Sequence, residues 1–368
     1  MTRILVSAGE PSGDLHGAPV VAALRHLLPG VAVEAFGGAR IAAAGAEVLW
    51  PMEQYTVMGL AEIVAKIPAH ARLLGEMRRR FRSGRYDLVI LIDYPGFHLR
   101  VAEAARAAGV PVLYYIAPQL WAWRPERAAR FRQAVDRFAV IFPFEVPFFR
   151  SVGLTTDFVG HPLLDRPPLP TREAARAELG IGAGDRVLAL FPGSRGQELR
   201  RHWAPFRDAA RRLLDAGTAT RCVVAAVPGG SYPDPGPLEL VDRDSGLLLR
   251  AADAVLAKSG TTTLEAALAD APMVVAYRVH RVTAWAARRL MRVPWIALPN
   301  LIAQQPVVEE IVQADVTAER LAAAVAPLLD PASAATVAQR AGLARIRDLL
   351  GGPGAAERVA AVAATMLR

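Results

Sequence analysis

The stretch AVLAKSGTTTLEAALADAPMVVAYR, residues 254–278, decides the fold class. Residues 254–256 form a short apolar run that breaks at Ser259-Gly260-Thr261. Apolar side chains return at helical spacing (Leu264, Ala267, Leu268), Pro272 interrupts, and residues 273–276 are apolar again. Strand, turn, helix, strand is the repeating unit of a parallel α/β sheet. Hydroxyls at Ser259, Thr261, Thr262 and Thr263 crowd the helix start, and Gly260 lets the backbone come close to a ligand. The N–H groups of a helix N-terminus favour phosphate. Serine and threonine also cap helices that bind nothing, so this stretch alone leaves both readings open.

A chain of 368 residues predicts two domains, each with its own core. At 53% hydrophobic and 21% charged it has the composition of a globular protein, with no low-complexity segment or fixed repeat. Cys222 is the only cysteine, which excludes an intrachain disulfide and a cysteine-based metal cluster. Residues 1–10 lack the apolar core of a signal peptide. The longest apolar candidate, residues 139–149, contains Glu145 and two prolines and falls short of the roughly 18–20 residues of a membrane span. These features predict a soluble, cytoplasmic protein. The net charge is +8, and Lys66 and Lys258 are the only lysines among 43 basic residues. That balance suits anionic lipid, nucleotide or nucleic acid. Without zinc-finger spacing, an RNP-type aromatic motif or a basic tail, nucleic acid is the weakest of the three.

Upstream, residues 2–8 read as a buried parallel strand, followed by the turn Gly9-Glu10-Pro11-Ser12-Gly13-Asp14 and an apolar helix. Neither nucleotide fingerprint fits that turn. Ser12 or Asp14 can cap the helix, whereas Glu10 at a strand's C-terminal end points to a ligand crevice. Residues 31–36 are a second strand. A helix spans residues 56–85, with Leu60, Ile63, Val64 and Ile67 in its first half and six arginines in its second. Such a basic amphipathic helix packs on a sheet or lies on a membrane, and the pattern by itself favours packing. Residues 88–92 are strand-like and end at Asp93-Tyr94-Pro95-Gly96, either an ordinary turn or a general base at a strand's carboxyl edge. Strands at 112–116, 137–142 and 156–159 complete the first sheet. The tryptophans at 121 and 123 are a sugar-stacking surface or packing anchors.

The proline-rich run 166–170 marks the domain boundary. The pattern restarts with a strand at 187–191, then Pro192-Gly193-Ser194-Arg195, where Gly193 frees the backbone and Arg195 offers a forked donor for phosphate. A further strand spans 221–227. Asp242 and Asp244 match a three-residue metal pattern that is common by chance, so no metal site is assigned. Leu298-Pro299-Asn300 follows the opening stretch, then a helix is expected to carry Glu309, Glu310 and Gln313. The tail from Thr317 reads as helical, broken at residues 351–354.

Together these motifs resemble the lipid-A-disaccharide synthase family. They are AGEPSGD (8–14), YTVMGLAEI (55–63), IDYPGF (92–97), YIAPQLWAWR (115–124), IFPFE (141–145), FVGHPL (158–163), FPGSR (191–195), SGTTTLE (259–265) and LPNLIA (298–303). Their order holds along almost the whole chain. The resemblance implies a GT-B glycosyltransferase, an α/β protein with two Rossmann-like domains whose parallel sheets face across a cleft. The implied limits are 1–166 for the acceptor-side domain, 167–345 for the UDP-sugar domain, and 346–368 for a helix that packs back on the first domain. The implied reaction moves 2,3-diacylglucosamine from its UDP donor to 2,3-diacylglucosamine 1-phosphate, giving a β-1,6 disaccharide 1-phosphate and UDP.

Carried over motif by motif, Asp93 is the base and Arg195 stabilises the departing UDP. Gly193, Ser194, Ser259, Gly260, Thr261, Glu265, Asn300, Glu310 and Gln313 fall on the donor side. Glu10, Ser12, Gly13 and Asp14 fall on the acceptor side. Because both substrates carry acyl chains, Leu60, Ile63, Val64 and Ile67 become a contact with the inner membrane surface, reversing the preference for packing. No cofactor, metal or nucleic acid is implied, and there is room for a homodimer. The family's DxPDFN reads DYPGFH here, with Gly96 and His98 in place of an acid and an amide. His16 replaces an apolar residue, and residues 228–237 form a loop where the family usually fits a helix. Rival readings are another UDP-sugar GT-B enzyme, such as a GlcNAc transferase or a UDP-GlcNAc 2-epimerase, and a non-catalytic UDP-sugar-binding protein.

Overall fold

The computed structural model describes residues 1–55, 60–122, 125–242, 244–280, 284–285, 289, 291 and 293–367. They form two compact units, Met1–Arg166 with Leu350–Arg368, and Pro167–Leu349. The first holds a seven-stranded sheet of β1 (Arg3–Ser7), β2 (Ala32–Gly37), β3 (Glu47–Pro51), β4 (Leu88–Ile92), β5 (Val112–Tyr115), β6 (Arg137–Val140) and β7 (Thr156–Phe158). Their order is β3-β2-β1-β4-β5-β6-β7, and every pairing is parallel. Helices cover both faces of such a sheet, which is why all five residues of β4 are buried. Burying each of those branched side chains contributes about 1.5–3 kcal/mol relative to exposure.

Four helices of this unit bear on function: α1 (Pro11–Leu27), α2 (Ala39–Ala43), α3 (Leu60–Arg82) and α4 (Pro95–Ala107). The second half of α3 packs inward through Leu73, Leu74, Met77 and Phe81. Arg80 of that half lies 5.2 Å over the Trp50 ring and 3.4 Å from the buried Glu34 carboxylate, which also pairs with Arg85 and Tyr86. The helix Ala355–Met366, after the glycine break, packs on α1. Its entry is fixed by Asp165, whose carboxylate accepts from the amides of Gly354 at 2.6 Å and Ala355 at 3.1 Å.

The second unit has a six-stranded parallel sheet, β10-β9-β8-β11-β12-β13. It is built from β8 (Val187–Phe191), β9 (Arg221–Ala225), β10 (Glu239–Val241), β11 (Ala254–Lys258), β12 (Met273–Tyr277) and β13 (Glu309–Val312). The expected helix over Glu309, Glu310 and Gln313 is instead β13 followed by a turn. Pro306 lies just upstream, the β-branched pair Ile311 and Val312 favours extension, and β13 pairs in parallel with β12. Gln313 then turns out of the strand with φ of 56°. In each sheet the strand order reverses at one place, between β1 and β4 and between β8 and β11. Loops leaving the carboxyl ends of strands at such a reversal splay apart and leave a crevice where ligands bind.

Candidate functional site

In the first unit the reversal is bordered by the turn Ala8-Gly9-Glu10 after β1 and by Asp93-Tyr94 after β4. Asp93 and Tyr94 both adopt left-handed backbone, with φ of 51° and 54°. Two consecutive non-glycine residues there store strain on the order of 1–3 kcal/mol each. The Asp93 amide donates to the Tyr115 carbonyl at 3.0 Å. The Asp93 carbonyl accepts from the Tyr114 hydroxyl at 2.7 Å and pairs with His98 Nδ1 at 2.6 Å. Tyr94 packs over Gly9, where a Cβ would meet the ring at 2.4 Å, and its hydroxyl lies 2.8 Å from His70 Nε2. Burial raises the Asp93 carboxyl above its ordinary value, opposed in part by the Tyr94 amide. A partly shielded, more basic carboxylate at a crevice suits proton abstraction.

The other acceptor-side residues divide. Glu10 and Ser12 are exposed at the start of α1. Gly13 is buried against Ala8, with a Cβ there meeting the Ala8 methyl at 3.2 Å. Asp14 turns away from the opening and caps α2, accepting from Gly38 at 2.8 Å, Arg40 at 3.1 Å and Ile41 at 3.1 Å. Trp121 is a packing anchor, its indole donating to the buried Glu145 carboxylate at 3.1 Å. Burial pushes Glu145 up to about 7. Trp123 and Arg124 lie outside the described residues, as do Thr56–Gly59 of the YTVMGLAEI motif and the side chains of Leu60, Ile63 and Val64. Ile67 is 55% exposed.

In the second unit the loop after β8 leads into α8 (Gly196–Asp215) and that after β11 into α10 (Thr261–Leu268), counting α5 (Ala128–Ala134), α6 (Glu145–Ser151), α7 (Arg172–Glu178) and α9 (Ser245–Ala251). Glu198, on the first turn of α8, joins the two loops. One carboxylate oxygen accepts from the amides of Ser194 at 3.1 Å and Arg195 at 3.3 Å, and the other meets Lys258 Nζ at 3.1 Å. Burial works against the charge, yet Lys258 and those amides hold the Glu198 carboxyl below its ordinary value. Gly193, with φ of 125°, is required because a Cβ would stand 2.5 Å from that of Glu198. Arg195 projects outward with its side chain 85% exposed. Gly260 precedes α10, Thr261 is exposed at its first position, and Glu265 is half-buried one turn later.

Four donor-side residues hold the loops beside α10. Asn300 is buried and accepts from Val307 and Val308 at 2.8 Å each, and its amide donates to Glu310 at 2.8 Å. Glu310 accepts from the amides of Ile296 at 2.9 Å and Ala297 at 3.0 Å. Ser259 donates to the Ile296 carbonyl at 2.9 Å. Gln313 reaches the Val279 amide at 3.4 Å. The 228–237 loop is tied to α8, with Trp203 donating to the Pro233 carbonyl at 2.8 Å. Asp244 caps α9 through Gly246 at 2.7 Å. Among the described residues no three His, Cys, Asp or Glu side chains group as a metal site.

The model of a family described as lipid-A-disaccharide synthetase matches residues 4–351. This chain belongs to the lipid-A-disaccharide synthase family. A lipid-A-disaccharide synthase of Geobacter metallireducens is 40% identical over 374 residues, covering 99% of this chain and 97% of that one. One from Pseudomonas aeruginosa is 41% identical over 341 residues, 90% of each chain. Among solved structures, a putative UDP-N-acetylglucosamine 2-epimerase from Listeria monocytogenes superposes with a TM-score of 0.65 at 15% identity, over 99% of this chain and 96% of that one. The glycotransferase of kitacinnamycin gives 0.61 at 19% identity, over 100% and 99%. These likenesses show the fold alone, the GT-B α/β architecture. Membership makes the chain an enzyme, a glycosyltransferase of lipid A synthesis.

For a lipid-A-disaccharide synthase, one group escaped the reading of motifs, the Glu198–Lys258 pair, while His98 was noted only as a departure from the family's motif. Glu198 sits three residues after Arg195, the spacing of a capping box, and that was its one local signal.

Proposed function

We propose that the chain transfers 2,3-diacylglucosamine from its UDP donor to the 6-hydroxyl of 2,3-diacylglucosamine 1-phosphate. The observation that carries the reading is the Asp93 turn, a carboxylate made more basic by burial and held at the strand reversal of its sheet. Asp93 takes the acceptor's hydroxyl proton, and the acceptor oxygen attacks the anomeric carbon. The bond from that carbon to the diphosphate breaks, its electron pair leaves on UDP, and the configuration inverts to β. Arg195 and the first turn of α10 face the charge that develops on the diphosphate. On this reading Gly193, Ser194, Ser259, Gly260, Thr261 and Glu265 border the donor. Asn300, Glu310 and Gln313 shape the adjoining loop, Glu10 and Ser12 border the acceptor, and Gly13 and Asp14 support that border. The scheme calls on no divalent metal, and extensive chelation followed by assay tests that point.

The acyl chains call for a lipid-facing entry, and the exposed Ile67 supports a contact of α3 with the inner membrane surface. No single described helix is long and apolar enough to cross a membrane. The deciding experiment mixes donor and acceptor and follows UDP and disaccharide together. Both products are expected, and both fall sharply in Asp93→Asn. Conversion of the donor without acceptor, as a 2-epimerase would give, overturns the reading, and so does binding with no turnover.

A further inference from the structure

His98 lies on the first turn of α4 and is fully buried, so it is no surface base standing beside Asp93. Its contacts are directed. The ring Nδ1 is 2.6 Å from the Asp93 carbonyl, the ring Nε2 is 2.8 Å from Ser7 Oγ at the end of β1, and its backbone amide donates to the Tyr94 carbonyl at 3.1 Å. A carbonyl oxygen can only accept, so Nδ1 carries the proton. Burial keeps the ring neutral, pushing His98 down to about 4. In a neutral ring protonated at Nδ1, Nε2 has a lone pair and accepts from the Ser7 hydroxyl. The ring therefore ties Ser7 at the end of β1 to the Asp93 carbonyl after β4, while the Tyr94 carbonyl is met by the His98 backbone amide alone, at the left-handed Asp93-Tyr94 turn.

We infer that His98 is a positioning residue for Asp93, a neutral Nδ1–H clamp that holds the strained turn and so aims the carboxylate. Tyr114 supplies the second donor to the same carbonyl, but it comes from β5, which is separated from β1 by β4 in the sheet. Loss of the His98 ring bond leaves the Asp93 carbonyl held by the Tyr114 hydroxyl alone and removes its hydrogen-bonded tie to Ser7 of β1, so the turn can shift from its left-handed backbone. A shift of about 1 Å in a reacting group is enough to cost on the order of a hundredfold in rate. The inference rests on Asp93 being the base.

The test separates the two ring nitrogens, because asparagine mimics Nδ1 and glutamine mimics Nε2. In the full-length protein, UDP release from the donor and acceptor named above is measured for His98→Asn, His98→Gln and His98→Leu, with thermal unfolding alongside. Expected are a kcat within a few-fold of wild type for Asn, and a loss of roughly ten- to hundred-fold for Gln and Leu with KM nearly unchanged. Equal turnover in Asn and Gln overturns the clamp, as does wild-type turnover in a folded Leu variant. If Leu fails to fold, the Asn–Gln contrast still decides. Independently of activity, the ¹⁵N spectrum of the wild-type imidazole must show a neutral ring protonated at Nδ1, and an Nε2–H or charged ring overturns the inference. Asp93→Asn is assayed in parallel. If it stays active, the reading of Asp93 as base falls; if it is dead while Gln and Leu match wild type, only the role of His98 falls.

Discussion

At the scale of single residues, position along the chain and position in space assign different work. Asp93 and Arg195 are the two side chains whose surroundings fit chemistry. The first is partly shielded at a strained turn, and the second extends from a loop whose amides are already taken by Glu198. Asp93→Asn keeps the shape and removes the basic oxygen, so turnover is expected to fall by roughly 10²–10⁴ while UDP binding persists. Titration with UDP and single-turnover assay check both halves. Arg195→Ala is expected to lower UDP affinity and kcat/KM together by roughly ten- to hundred-fold, the worth of charge-assisted hydrogen bonds of about 1.5–3 kcal/mol. Its melting temperature should not move, because the side chain is largely in solvent. A drop in stability would instead make it part of the α8 cap.

At the scale of elements, the buried strands were legible, and of the four edge strands only β7, expected at 156–159, was. Residues 88–92 announce β4 because a strand covered on both faces needs an unbroken apolar run. The short edge strands β3 and β10 were not anticipated, and β13 was expected as a helix. An edge strand is covered less completely, so its local pattern is weak and the partner strand supplies the decision. Caps behave in the same way: Asp14 serves α2 and Asp165 serves the helix 355–366, each through amides remote in sequence. Asp165→Ala is expected to cost about 0.5–2 kcal/mol and to let that helix fray. Faster proteolysis within residues 351–354, with the rest of the first unit still protected, checks it. Unchanged cleavage would mean that packing on α1 alone holds the helix.

Over the whole molecule, the buried ionisable groups predict how stability follows pH. Burial pushes His16 down to about 4, with Arg166 adding to the effect, and pushes His161 down to about 3, with His16 and Arg166 adding. With His98 at about 4, the first unit carries three histidines that fold neutral but are ordinary bases, near 6.5, when unfolded. Their contribution is complete above pH 6.5 and is lost as pH falls towards 4, because the unfolded chain then binds more protons. Glu145 acts in the opposite sense: its folded value of about 7 lies above the unfolded one, so its penalty is relieved as pH falls from 7. One such group offsets only part of three, so the melting temperature should fall between pH 6.5 and 4. Calorimetry across that range checks it, and His16→Gln should flatten the slope. An unchanged slope would mean that His16 stays neutral in neither state more than the other.

What the sequence by itself determined was the α/β class, the two-fold repetition of strand–turn–helix units, and the family, carried by motifs in order from Ala8 to Ala303. Those properties are local: apolar runs, helical spacing and turn residues act within a few positions of one another. The tertiary structure alone decided what the residues in those motifs do. Asn300 and Glu310, adjacent in reading to a nucleotide pocket, are occupied with backbone amides of their own loop. Glu198 and Lys258, 60 residues apart, meet because β8 and β11 are neighbours at the strand reversal. His98, in sequence only a departure from the family's motif, is a buried ring held between Ser7 of β1 and the Asp93 carbonyl after β4. Burial and long-range pairing set protonation and hydrogen-bond partners, and neither is a property of neighbours in the chain.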